Sequence, residues 1–236
     1  MVITGAAMEE RNLKDGELYE KQFGWKEQRE NNRFMLVFVL IVLAVFAFVS
    51  WFHGNFSGVQ VSGPSMQKTL FNGEYLLMKE VDGGVGFTYG DVVVVSVEHY
   101  PEIQEANKHK SEENKTKFLI KRVIAMEGDK VKFENGEMWL WKDYQSGGGY
   151  EKLEEPYAYY ANRGSYQCAE YTVDEGEVFF LGDNRNYSLD SRYLDGNSHL
   201  SDLYKTTDIC GVVPEYAIRY KGVFKWLFFA GRIFGN

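Results

Sequence analysis

The sequence predicts an all-β fold, an antiparallel β-sheet or partly open barrel, carried behind one N-terminal transmembrane helix. Three observations lead there. Residues 34–52 form an uncharged apolar run, the chain beyond residue 53 breaks into short β-type runs between turn residues, and no long amphipathic helical pattern follows residue 53.

The apolar run, FMLVFVLIVLAVFAFVSWF, makes a helix of about 28 Å at 1.5 Å per residue, close to the ~30 Å hydrocarbon core of a bilayer. A buried helix of a soluble protein keeps a polar face, which this run lacks. It is also too long for the apolar region of a cleaved export signal, and no Ala-x-Ala exit follows it. The expectation is an uncleaved anchor. Lys21, Lys26, Arg29 and Arg33 lie upstream, whereas the first basic residue downstream is Lys68. That asymmetry predicts a cytoplasmic N-terminus and an exported domain at 53–236, with Trp51 and Phe52 at the outer headgroup level. Residues 1–33 mix both charges without a helical stripe and read as a loosely ordered cytoplasmic tail.

In the exported part the expected strands are 58–62, 74–79, 91–97, 118–125, 129–133, 137–141, 177–181, 209–213 and 216–220. Glu134-Asn135-Gly136 reads as a hairpin turn, since Asn and Gly tolerate positive φ. Residues 98–117 are charge-dense and read as a solvated loop, and 143–150 as a flexible glycine-rich turn. The C-terminal stretch 222–236 is apolar but interrupted by Lys225 and Arg232 and is too short to span. It reads either as a packed final element or as a surface resting on lipid through Trp226, Phe228 and Phe229.

Composition excludes several classes. Thirty-four acidic against 26 basic residues give a net charge of −8, which disfavours nucleic acid as a partner. The two cysteines, Cys168 and Cys210, allow at most one bridge, and the four histidines lie far apart without metal-ligand spacing, so no metal is expected.

Three segments can carry chemistry. Ser65 follows Gly63-Pro64, a tight loop able to present a hydroxyl, but a serine needs a base to become a nucleophile. Lysine serves if burial keeps it neutral. Lys68 gives a Ser-x-x-Lys spacing as in penicillin-binding proteins, yet the Ser-x-Asn and Lys-Thr-Gly elements those enzymes need are missing. Lys121 sits inside the apolar run 118–125, an arrangement suited to desolvating an amine. The third segment, 182–192 (GDNRNYSLDSR), is dense in Asp and Arg and suits a loop locked by charge-assisted bonds.

Together these segments resemble type I signal peptidases, membrane-anchored serine proteases with a Ser/Lys dyad. The blocks 61–70, 90–94, 121–129 and 182–192 occur in the family order behind a span of the expected polarity. The resemblance implies that Ser65 is the nucleophile, Met66 part of the substrate-facing wall, and Lys121 the general base beside Arg122 as a structural cation. It further implies that the Ser188 hydroxyl orients the amine and that Asp183, Asp190 and Arg192 brace the site. The family places the nucleophile's N–H in its oxyanion hole, and some members add a serine hydroxyl where this chain has Gly63. Lys68 stands where the family pattern usually has Pro, and Asn186-Tyr187 replaces the commoner Asp-Asn.

The implied activity is hydrolysis of signal peptides from exported preproteins at the surface of the lipid bilayer, with small residues before the cut and no cofactor. Two other readings compete. A self-cleaving repressor needs a DNA-binding domain where this chain has its apolar span. A non-catalytic, membrane-tethered β domain that binds an extracytoplasmic partner has no need for Ser65 and Lys121 together in matching blocks.

Overall fold

The computed structural model describes residues 5–81, 86–112, 115–160, 168–192 and 205–221. The chain divides into two units, Met1–Gly54 and Asn55–Asn236.

The first unit is one helix, α1 (Gly5–His53), of 49 residues. Its segment Gln28–His53 is long and apolar enough to cross a membrane, and every side chain described from Phe34 to Trp51 is exposed. The tail expected to be loosely ordered is therefore helical from Gly5. Residues 9–33 are rich in Glu, Lys, Arg, Gln and Leu, which lose little on entering a helix. Once the apolar segment is helical, the costly nucleation step is already made and the helix extends upstream. It does so despite Gly16 and Gly24, each costing about 1 kcal/mol relative to Ala.

Among its described residues the second unit has ten strands, paired antiparallel in two sheets that form no closed barrel. The larger has the order β1 (Phe56–Gln60), β2 (Tyr75–Glu80), β10 (Ile209–Val213), β3 (Val92–Ser96), β4 (Phe118–Met126), β9 (Val178–Leu181). The smaller has the order β7 (Glu151–Lys152), β6 (Glu137–Trp141), β5 (Lys130–Glu134), β8 (Cys168–Thr172). β5 and β6 are joined by Asn135 (φ 54°) and Gly136 (φ 80°), the expected two-residue turn with both residues left-handed.

Strand β4 passes through both cores. Lys121 lies opposite Val93 and Val123 opposite Phe180, so Lys121 shares its face with the cluster of Val93, Val95, Val123, Val178 and Phe180. A bulge between Val123 and Ala125 then turns Ile124 and Ala125 together into a second cluster with Val131, Phe133, Met138, Leu140, Phe179 and Leu181.

Eight of the nine expected strands are present with small shifts at their ends. Residues 216–220 are not a strand: Glu215–Arg219 is a helix, α3, started by Pro214 and carrying a Glu215–Arg219 pair of 2.7 Å one turn apart. Its alternation of apolar and polar residues is too short to separate the two periods, and the local cap and charge pair decide. Strands β7 and β8 are additions; β7 is a polar pair of residues and β8, CAEYT, lacks a clear alternation, and they pair with β6 and β5 respectively. Cys210 is a free thiol. The C-terminal stretch 222–236, including Trp226, Phe228 and Phe229, lies outside the described residues.

The segment 98–117 is more than a solvated loop. It contains α2 (Pro101–Asn107), with proline in the first turn where its missing N–H costs nothing. Tyr100 and Ile103 enter the first apolar cluster. Asn107 then grips Thr116 by two bonds, Nδ2 to the carbonyl at 2.7 Å and Oδ1 from the N–H at 2.9 Å. Charge density hid two anchors spaced for one face of a helical turn. If the segment is docked in this way, Ile103→Ala lowers the unfolding free energy of the full chain by about 2–3 kcal/mol in denaturant titration. A freely solvated loop leaves the midpoint unchanged.

Candidate active site

Two of the three segments line one cleft of about 600 Å³, among others through Val59, Val61, Ser65, Met66, Ile120 and Lys121, and the third is bonded to both, through Asn184 to the Pro64 carbonyl and through Asp183 to Arg122. Ser65 stands on the loop between β1 and β2, Lys121 in β4, and the loop 182–192 follows β9.

The amine of Lys121 lies 3.3 Å from Ser65 Oγ and 2.9 Å from the Ile120 carbonyl oxygen. The side chain is 1% exposed. Burial disfavours the ammonium and brings its pKa down to about 8, although the charges of Asp190 and Asp183 act in the opposite direction. The residue expected to be a neutral amine beside a hydroxyl is thus desolvated by the apolar face it lies on.

Both carboxylates are saturated by other groups. Asp183 takes a two-pronged contact from Arg122, Nε to Oδ1 at 2.8 Å and Nη2 to Oδ2 at 2.7 Å, and its Oδ2 also accepts from the Thr69 hydroxyl. The remaining arm of Arg122 donates to the Gly90 carbonyl at 2.6 Å, and its guanidinium stacks on the Tyr157 ring at 4.1 Å. Asp190 receives Arg192 Nε at 2.9 Å and Nη2 at 3.0 Å, together with the Gly182 N–H at 3.0 Å. Because neighbours in a strand face opposite sides, Arg122 reaches its carboxylate from the face that Lys121 does not use.

The other residues singled out from the sequence also lie here. Met66 is buried in the cleft wall. The Ser188 hydroxyl is buried and has no hydrogen-bond partner among the described residues, and the amine's own contacts are to Ser65 and Ile120. Gly63 has φ +88° and donates its N–H to Asn72 Oδ1 at 3.0 Å. Lys68 is exposed and lies over the Tyr159 ring at 5.0 Å, away from the Ser65 hydroxyl that a Ser-x-x-Lys dyad requires it to activate.

Four contributors had no role assigned from sequence. Asn184, 2% exposed, donates from Nδ2 to the Pro64 carbonyl and from its N–H to the Ser65 carbonyl. Arg185, fully buried, forms an ion pair with Glu155 at 2.5 Å and donates to the Gly182 carbonyl at 2.9 Å. Gly182 fills a gap that admits no Cβ. Asn184 and Arg185 lie inside the 182–192 motif and were open to inspection; Glu155 lies in a stretch without periodicity, and no sequence signal marks it.

The family described as signal peptidase, peptidase S26, matches the chain over residues 31–227. Signal peptidase I of Streptococcus pneumoniae serotype 4 is 28% identical over 214 residues, covering 78% of this chain and 89% of its own. Signal peptidase I U of Bacillus subtilis strain 168 is 26% identical over 192 residues with the same coverage of 78% and 89%. The crystal structure of a signal peptidase I from Enterococcus faecalis V583 aligns with a TM-score of 0.35 at 20% identity, covering 55% of this chain and 97% of that one.

A Cβ added at Gly182 meets Ser188 Oγ at 2.1 Å and the Ser65 carbonyl oxygen at 2.6 Å. Gly182→Ala is expected to destabilise the folded chain by about 1–3 kcal/mol, seen as a lower thermal midpoint. Trimming Ser188 to Gly in the same chain recovers only part of the loss, because the backbone clash with Ser65 remains.

Proposed function

Since the chain belongs to the signal peptidase S26 family, we propose that it is a serine endopeptidase that removes signal peptides from exported preproteins, with Ser65 as nucleophile and Lys121 as general base. The observation that carries this assignment is the buried amine 3.3 Å from the Ser65 hydroxyl.

In the working direction the uncharged amine takes the Ser65 proton as Oγ attacks the scissile carbonyl. The tetrahedral anion is held by the Ser65 N–H, which has no acceptor among the described residues. The ammonium then gives its proton to the departing amine, leaving an acyl-enzyme on Ser65. The amine, neutral again, deprotonates a water that releases the acid, and Ser65 recovers its proton. Arg122 and Arg192 keep Asp183 and Asp190 from holding the proton on the lysine. Ser188, with a buried hydroxyl and no bound partner, supports an orienting role that the amine takes up when substrate displaces its contact with Ser65. The apolar walls from Val59, Val61, Met66 and Ile120 suit an extended peptide with Ala, Gly or Ser at the first and third positions before the cut.

The α1 segment Gln28–His53 supplies the bilayer anchor. We place the N-terminus in the cytoplasm and the β unit outside, as a single-pass protein, on the excess of Lys and Arg upstream of the span. Preproteins arrive bound to the same membrane through their own apolar segments, which raises the local concentration of both partners. A non-catalytic binding domain leaves unexplained why a lysine is buried against a serine at a considerable desolvation cost.

Mass spectrometry of a model preprotein is the decisive assay. Ser65→Ala and Lys121→Ala are each expected to lower cleavage by about 10³-fold or more while the chain stays folded; cleavage retained by either variant removes that residue from the dyad. Only the unprotonated amine acts as base, and its pKa is about 8. In the wild type kcat/KM therefore rises about tenfold per pH unit below about 8 and levels off above it. A profile still rising steeply near the free lysine value of about 10.4 contradicts a desolvated base.

A further inference from the structure

An oxyanion is usually shared by two donors, and with Gly63 in place of a hydroxyl-bearing residue the second one is open. The backbone around Ser65 narrows the choice. The Gly63 N–H is engaged with Asn72 Oδ1 at 3.0 Å. Pro64 has no N–H. The Gln67 N–H closes a turn on the Pro64 carbonyl at 3.1 Å. The N–H groups of Ser65 and Met66 alone in this run have no acceptor among the described residues.

Asn184 sets the direction of those two groups from behind. Its Nδ2 holds the Pro64 carbonyl at 3.1 Å and its N–H holds the Ser65 carbonyl at 2.9 Å. The side-chain amide has one consistent orientation, because its Oδ1 accepts the Asn186 N–H at 3.2 Å and leaves the nitrogen facing Pro64. The peptide bonds on both sides of Ser65 are trans. In a trans unit the C=O and the N–H point in opposite directions. The Pro64 carbonyl shares its unit with the Ser65 N–H, and the Ser65 carbonyl shares its unit with the Met66 N–H. Two carbonyls turned toward Asn184 therefore turn two successive N–H groups away from it. Ser65 and Met66 line the cleft and Asn184 does not, so away from Asn184 is toward substrate. Adjacent bare N–H groups on one side of the backbone make an anion-binding concavity.

We propose that the backbone N–H groups of Ser65 and Met66 together form the oxyanion hole, and that Asn184 is the positioning residue that aims them. This rests on the assignment of Ser65 as nucleophile. The side chain of Met66 is part of the cleft wall, while its amide is catalytic. Asn184 does not touch the substrate; it acts through the two carbonyls it holds.

The test replaces Met66 by its α-hydroxy acid through nonsense suppression in the full-length chain, assayed in phospholipid vesicles. This exchanges one N–H for an ester oxygen and keeps the side chain. Cleavage of the model preprotein is expected to lose about 10²-fold in kcat with KM within about twofold of wild type. Affinity for a peptide aldehyde, which forms a tetrahedral adduct on Ser65, falls in parallel, and affinity for an uncleavable substrate peptide does not. Asn184→Asp, close in size but unable to donate to the Pro64 carbonyl, is expected to show the same loss confined to kcat and to the aldehyde. A Met66 ester with kcat within twofold of wild type overturns the proposal, and so does a loss that appears equally in the affinity for the uncleavable peptide. Should the ester chain fail to fold, Asn184→Asp decides alone by the same two readouts. Wild type that does not cleave, or Ser65→Ala that still does, overturns the nucleophile assignment and this proposal with it, and is distinguished by being read without the ester or the Asn184 variant.

Discussion

The site depends on making an amine easier to deprotonate within the field of two buried carboxylates. Burial brings the Lys121 pKa down to about 8, while Asp190 and Asp183 push it up. A lone carboxylate about 4 Å from an ammonium contributes about 4 kcal/mol at an effective dielectric of about 20, roughly three pKa units. Left unpaired, the two aspartates would oppose the effect of burial more strongly. Arg122 and Arg192 prevent that by meeting the carboxylates with two-pronged contacts. The guanidiniums thus act on the lysine by neutralising what surrounds it. The same pairs satisfy charges that no water reaches, and losing one partner of such a pair typically costs about 3–5 kcal/mol.

The loop 182–192 is where these demands converge. Asp183 faces Arg122, Asn184 faces the backbone of the serine loop, Arg185 faces Glu155, and Asp190 faces Arg192. The backbone is tied as well, with the Tyr159 N–H on the Asp183 carbonyl at 2.7 Å and the Arg185 N–H on the Tyr159 carbonyl at 2.9 Å. Apart from the Ser188 hydroxyl, the buried polar side chains named here are partnered, and that makes the loop a rigid template for the residues opposite. Gly182 lets the template close, because the backbone of Ser65 approaches where any side chain would stand.

Much of this was legible in the sequence, and the gaps have physical causes. The apolar run, the β-rich unit and the Asn135-Gly136 turn follow from patterns that local chemistry fixes, and each is present. Ser65, Lys121, Asp183 and Asp190 could be grouped only through the resemblance of four ordered blocks to one family, because each block alone reads as an ordinary strand or polar loop. Position 216–220 went the other way because five residues cannot display a period, and Pro214 with the Glu215–Arg219 pair outweighed the alternation. The helicity of residues 5–33 comes from continuity with the span, which a window confined to that stretch does not register. Tyr100 and Ile103 were masked by charged neighbours, and Glu155 became visible only through the arginine it meets in space.

The parts of the site come from distant points along the chain. Ser65 and Lys121 are 56 residues apart, Arg122 and Asp183 are 61 apart, and Asn184 closes on Pro64 across 120. Contacts of such long range form late, since the intervening polymer must first surrender its freedom. During synthesis a nascent chain released only as far as β4 already presents the hydroxyl and the amine, but neither aspartate nor the asparagine that grips the serine loop. The contacts that lock the serine loop and Arg122 in place therefore wait for the last third of the polypeptide.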